Sequence, residues 1–473
     1  MGGEIMLKIK KKHSSISLKA RLRRRLIASI AAGILTVQGV LLVPPSQVNA
    51  ETADVSVRNW HYSSTIEVPE LKPSWTVKVD NYLNMGENDV SGHQAIAEEG
   101  KVFAFAGNKL IAMDARTGKR LWSYGKDLKP YIVYDKGVIY GLSAGQKPYA
   151  LNAKTGKLKW QSNTSIFMDA HLRTEALVPT YDTLYAIKGS VTFAFDKATG
   201  KLRWKMNEPS GEGYGTDYLQ EADGVFLRTF YVQGALTSIQ LNAYDKKTGK
   251  KLWDHFGQGA ALQVKAGLVY SVDYYSPLLA DYQSLPDRKW IVNVYNLKTG
   301  VKKSSREYSW KMPGEPPYEY GRGGLFMNQG KLYMDQGNKV AEYKFDTYTK
   351  GEVPLRTFPR PYGGDWELIG LVQDRLIFNN RSTGELAGTK LANGQRIGWT
   401  GHAPVAQIDV YGKGLYRAQR NGTLLGINLM TSRPVFKVTT GADLHESTLK
   451  TNGMIIIQAE GKLLGVKVPA SVK

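Results

Sequence analysis

Three histidines stand where imidazole chemistry could gather. His93, His402 and His445 each precede a strand-like run, in GHQAIAEEG, GHAPVAQIDVYG and LHESTLKTNG. Imidazole nitrogens ligate metals and, once protonated, attract anions, so three of them on one rim would make a metal or anion site. A loop-to-strand junction also suits polar residues that only face solvent, and a metal demands ligand geometry that spacing alone does not supply. His171, in DAHLRTEAL, has an analogous position away from the other three. Carboxylates at Asp169, Asp217, Glu221, Asp365 and Glu367 could add to a ligand site, or could cap turns and balance lysines. The tyrosines of YYSPLLADY and PPYEYGRGG could form a sugar- or peptide-binding surface, or serve packing.

Other chemistries are excluded by residue type. The chain of 473 residues has no cysteine, which removes disulfides, thiolate metal sites, CxxC redox motifs, cysteine nucleophiles and a lipid-modified N-terminal cysteine. It contains no HExxH pair or phosphate loop. A hydrophobic share of 42% and an aromatic share of 11% are enough for a substantial core.

The elements that would position these residues come from one sentence written several times. It reads LIAMDARTGKRLWSY at 110–124, YALNAKTGKLKWQSN at 149–163, TFAFDKATGKLRWKM at 192–206 and LNAYDKKTGKKLWDH at 241–255. A fifth copy, VNVYNLKTG at 292–300, lacks the tryptophan, and degenerate versions follow in KFDTYTKGEVPLRTF, TKLANGQRIGWT and INLMTSRPVFKV. The repeat residues are Asp114, Gly118 and Trp122; Asn152, Gly156 and Trp160; Asp196, Gly200 and Trp204; Asp245, Gly249 and Trp253; and Asn296 with Gly300. In each copy a strand runs into an Asp or Asn whose side chain can accept from the amides of the turn, and the glycine supplies the positive φ of a tight hairpin. The tryptophan then lies on the returning strand. It is too large for one hairpin to bury, so the units must stack.

The five clear glycines are 38 to 51 residues apart, and two further strand-like runs precede each hairpin. Four short strands in a unit of that length predict an all-β fold, a single closed β-propeller. The run SWTVKVD at 74–80 is expected to pair with the C-terminal strands and close the ring, removing two exposed edges. A literal count of tryptophan-type strands gives nine; propellers usually have four to eight blades, so about eight are expected and nine are possible. Residues 274–290 and 309–321 are expected as loop insertions.

This D-x-x-T-G-K-x-x-W sentence resembles the pyrroloquinoline quinone (PQQ) repeat of quinoprotein dehydrogenases and of noncatalytic relatives such as the lipoprotein subunit of the outer-membrane β-barrel assembly machinery. The resemblance covers nearly all of residues 74–468. Its motif residues are structural, so it speaks to fold more than to activity. The resemblance implies, for catalytic members, a quinone with calcium or a lanthanide, a catalytic Asp and an adjacent-cysteine disulfide. A chain without cysteine departs from that pattern, so no cofactor is expected, with PQQ and calcium belonging to the alternative of an alcohol or sugar oxidoreductase. The absent cysteine equally rules out the lipid anchor of the assembly lipoprotein.

Charge and targeting complete the picture. Residues 1–25 carry nine Lys and Arg and one acidic residue, Leu26–Val43 is an uncharged run of 18, and Val48-Asn49-Ala50 is a small-residue cleavage site. This is the pattern of a secretory signal peptide over 1–50; an uncleaved anchor is the other reading. A leader over 51–73 and the propeller over 74–473 follow. Loss of residues 1–50 lowers the formal charge from +21 to +13. In an exported protein that charge favours an envelope protein or an anionic wall polymer as partner, with no nucleic acid, since no RNA-binding motif is present. The expectation is a monomeric interaction scaffold, secreted or in the envelope, with no membrane-spanning segment after cleavage.

Overall fold

The computed structural model describes residues 55–58, 68–81, 95–166, 175–208, 215–232, 238–276, 284–318, 323–361, 365–399 and 404–473. The signal region 1–50, most of the leader, Asp169, His93, His171 and His402 lie outside the described residues. Among the described residues no helix is long and apolar enough to cross a membrane.

The strands assemble into nine sheets in chain order. Blades 1 to 8 span residues 95–124, 129–161, 175–207, 215–256, 258–311, 325–359, 366–398 and 405–439. Blade 9 takes three strands from 449–467 and its outermost from Trp75–Lys78, which pairs antiparallel with Lys462–Gly465. The innermost strands of blades 9 and 1, Leu449–Thr451 and Ala95–Glu98, lie against each other, so the ring is closed. The count is nine rather than eight because every tryptophan-type strand ends a blade, the N-terminal one included.

Burial explains why such short strands hold. Each of nine apolar clusters joins two neighbouring blades, for example Phe103, Phe105 and Leu110 of blade 1 with Ile132, Ile139 and Tyr149 of blade 2. A middle strand is therefore covered on both faces. Leu110, Ile111, Ala112 and Met113 are all buried. The expected insertions are also partly strand, since Asp287–Asn296 and Lys302–Lys311 each run for 10 residues.

Among the described residues blade 8 alone has five strands. Val55–Arg58 pairs antiparallel with its innermost strand, joining Val55 to Val410 and Arg58 to Gln407. Further along, the Leu71 amide donates to Lys437 O at 2.8 Å and the Lys437 amide donates to Pro69 O at 2.9 Å, on the blade's outer strand. The leader thus touches both edges of one blade.

Candidate functional site

The repeat residues form one small machine at each hairpin. Asp114 accepts from the amides of Arg116 and Thr117 at 3.0 and 2.9 Å and from the Thr117 hydroxyl at 2.9 Å. Asn152, Asp196, Asp245 and Asn296 do the same in blades 2 to 5, each taking its Thr hydroxyl at 2.7 to 3.1 Å. Partial burial opposes ionisation of Asp114, but the Thr117 hydroxyl and the turn amides prevail and hold its carboxyl below the usual range. Gly118, Gly156, Gly200, Gly249 and Gly300 all have φ between 68° and 74°. In blade 8 the turn persists without glycine: Asn428 accepts from the amides of Met430 and Thr431, and Ser432 takes φ 59°.

Each tryptophan docks on the turn of the next blade. The indole of Trp122 covers Gly156, that of Trp160 covers Gly200, that of Trp204 covers Gly249 and that of Trp253 covers Gly300, so closely that an added Cβ would lie 2.3 to 2.6 Å from the ring. The indole N–H donates to the residue after the turn Asp or Asn: Trp122 to Ala153 O at 3.2 Å, Trp160 to Lys197 O at 3.0 Å, Trp204 to Lys246 O at 2.9 Å and Trp253 to Leu297 O at 2.8 Å. Trp399 does the same to Leu429 O at 3.2 Å.

Two residues that the repeat pattern did not single out complete this series. Arg306 donates to Phe345 O, its guanidinium 4.7 Å from the Tyr270 ring centre and 4.4 Å from that of Phe345, and Arg356 donates to Leu391 O at 3.2 Å. A planar guanidinium supplies the flat face and the donor that an indole would. The signal was in the degenerate copies, where Arg follows SS at 304–305 and PL at 354–355. At the junction of blades 8 and 9 Phe436 packs among Val466 and Val468.

The other candidate residues that lie among the described residues are dispersed, and the grouping of His445 with His93 and His402 falls outside them. His445 is buried, its Nε2 3.0 Å from the Thr440 hydroxyl, and burial pushes its pKa down to about 4. Glu221 accepts from the Tyr185 hydroxyl at 2.6 Å and pairs with Lys246 at 3.0 Å, while burial raises the Asp217 carboxyl above its usual range. Asp365 and Glu367 belong to blade 7, where Glu367 pairs with Arg381 at 3.0 Å. Tyr274 and Tyr275 pack edge-on against Trp290 and Phe256. Among the described residues no three His, Asp or Glu side chains converge as a metal would need. The buried cations are also engaged: Arg228 donates to Thr192 Oγ1 at 2.6 Å and to the carbonyls of Gly189, Val191 and Thr216, and Arg417 donates to Trp399 O at 3.3 Å.

What the ring does present is cationic. The residue after the turn glycine is an exposed lysine in blades 1 to 4, Lys119, Lys157, Lys201 and Lys250, and Lys302 stands one place later in blade 5. The corresponding residues of blades 6, 7 and 8 are Glu352, Gln395 and Arg433.

Residues 72–224 match the family model PQQ_2, described as outer membrane protein assembly factor BamB. Among solved structures, BamB from Moraxella catarrhalis is 12% identical, over 83% of this chain and 98% of that chain, with a TM-score of 0.40. Quinohemoprotein alcohol dehydrogenase from Comamonas testosteroni is 13% identical, over 94% and 85%, with a TM-score of 0.44. A europium-containing methanol dehydrogenase is 12% identical, over 81% and 84%, with a TM-score of 0.42. No curated protein matches the sequence. The chain is a β-propeller whose blades are tied tryptophan to turn, and its first blades, within residues 72–224, are similar to that PQQ-repeat family.

Proposed function

We propose that the protein is an exported, noncatalytic β-propeller that works as a monomeric protein-interaction scaffold in the cell envelope. The match of residues 72–224 to a family described as an outer membrane assembly factor carries this reading. The basic, apolar and small-residue order of residues 1–50 supports export. The mechanism is rigid display. Nine interblade cores and the indole and guanidinium ties fix the blades, so their hairpin turns meet a partner without paying an ordering cost.

Titration of the purified protein with PQQ and calcium, read by absorbance and by dye-linked oxidation of alcohols and sugars, tests the noncatalytic part. No quinone band shift and no turnover are expected; a saturable shift with turnover overturns it. Fractionation and crosslinking in intact cells test the rest. The chain is expected outside the cytoplasm and crosslinked to a defined envelope protein, and a wholly cytoplasmic, uncrosslinked chain overturns it.

A further inference from the structure

The net charge of residues 51–473 is concentrated in one part of the ring. The hairpin segments of blades 1 to 5, residues 114–122, 152–160, 196–204, 245–253 and 296–304, contain 16 Lys and Arg against 3 Asp, a net +13. Outside these segments residues 51–473 are neutral overall, with 38 cations and 38 anions. In the sequence the lysines look scattered among turns. The fold places those turns side by side, because each tryptophan of one blade sits on the turn glycine of the next.

The local counter-charges are already spent. Asp114, Asp196 and Asp245 turn their carboxylates onto their own turns. Ion pairs engage other cations of blades 3 and 4: Lys197 meets Asp135, Arg203 meets Asp182 and Asp196, Lys246 meets Asp182 and Glu221, and Lys251 meets Glu208 and Asp254. Lys201 and Lys250 remain exposed beside them.

We propose that the hairpins of blades 1 to 5 form a continuous docking arc for a linear polyanion of the phosphate-polymer class. A polymer with closely spaced charges carries condensed counterions and releases them when cations line up along it, a gain that a compact anion does not offer. The arc is built for backbone charge and not for bases. Base recognition needs exposed aromatic platforms, whereas Trp160, Trp204 and Trp253 are no more than 9% exposed, each under a neighbouring turn. This binding needs no protein partner, so it stands or falls apart from the scaffold function.

The test uses the full chain and labelled long-chain inorganic polyphosphate, read by anisotropy across a salt series. One variant carries Lys119→Gln, Lys157→Gln, Lys201→Gln, Lys250→Gln and Lys302→Gln. A second carries Lys344→Gln, Lys350→Gln, Lys413→Gln, Lys467→Gln and Lys473→Gln, five exposed lysines outside the arc, and so has the same net charge. Residues 1–25 are common to both. The arc variant is expected to bind at least roughly tenfold more weakly, with the slope of log K against log salt lower by about 3.5, given about 0.7 per lost phosphate contact. The second variant is expected to lose less than about twofold on the same basis. Equal losses in the two variants overturn the arc. So does tripolyphosphate competing as well as the polymer at equal phosphate, or binding to anionic vesicles without binding to polyphosphate.

Discussion

The indole Nε1 of Trp75 donates to the carbonyl oxygen of Ala115 at 2.9 Å, joining the strand that completes blade 9 to the turn of blade 1. Its ring also lies over Gly118. The seam where the chain meets itself is therefore fastened by the tie used inside the ring, with Trp75 buried while Trp122 is only partly so. Trp75→Ala is expected to cost about 3–5 kcal/mol by urea denaturation, since it removes a large buried ring and frees two sheet edges. Trp122→Ala is expected to cost less. The reverse order would mean that strand pairing, and not the indole, holds the seam.

Two glycines separate backbone strain from the docking contact. Gly200 and Gly224 both have positive φ, 74° and 80°. A Cβ on Gly200 would lie 2.3 Å from Trp160, whereas one on Gly224 meets nothing within 4 Å. Gly224→Ala is expected to show only the left-handed cost, about 1–2 kcal/mol. Gly200→Ala adds displacement of the indole, about 1–3 kcal/mol more. Equal urea midpoints in the two variants would show that the indole moves aside freely.

The hairpins were legible in the sequence because a turn is a local event: Asp114, Thr117 and Gly118 meet within five residues, and their types state their roles. The destination of each tryptophan was legible only as a need for a neighbour, since Trp160 and Lys197 are 37 positions apart. Arg306 and Arg356 were hidden because a guanidinium that replaces an indole keeps the donor and the flat face but changes the letter. The cationic arc was hidden for the opposite reason. Every lysine in it was visible, but only the stacking of turns makes five separate segments adjacent.

Acid should weaken the fold in two steps. His445 is buried and its pKa is pushed down to about 4, whereas in the unfolded chain it titrates near its ordinary 6.5. The unfolded state therefore takes up a proton that the fold refuses as pH falls from 6.5 to 4. The stability from this group is full above that window and declines within it by at most about 1.4 kcal/mol per pH unit. The Lys246 ammonium holds Asp182 at about 2, so its contribution is present above the ordinary value of 3.8 and is lost as pH falls toward 2. His445→Gln should flatten the first step and leave the second. Urea midpoints at pH 7, 5 and 3 check this, and parallel declines of both proteins from pH 7 to 5 would assign the first step to other groups.

Val55–Arg58 covers the inner edge of blade 8, and no sheet of the other eight has a fifth strand among the described residues. Seam closure does not depend on it, because Trp75–Lys78 pairs with Lys462–Gly465 and the Trp75 indole reaches Ala115 independently. Deleting residues 51–58 is therefore expected to leave the ring closed while unpairing one edge. Amides within Gln407–Val410 that face the lost strand should exchange faster, because their hydrogen bonds then open to water without any unfolding of the blade. The opposite edge supplies the control: the Leu71 to Lys437 and Lys437 to Pro69 bonds remain, so the Lys437 amide should keep its protection. Unchanged exchange across Gln407–Val410 would show that the leader strand does not pair there in solution. Faster exchange in Lys462–Gly465 as well would show that the leader strand and the seam are coupled through blade 8.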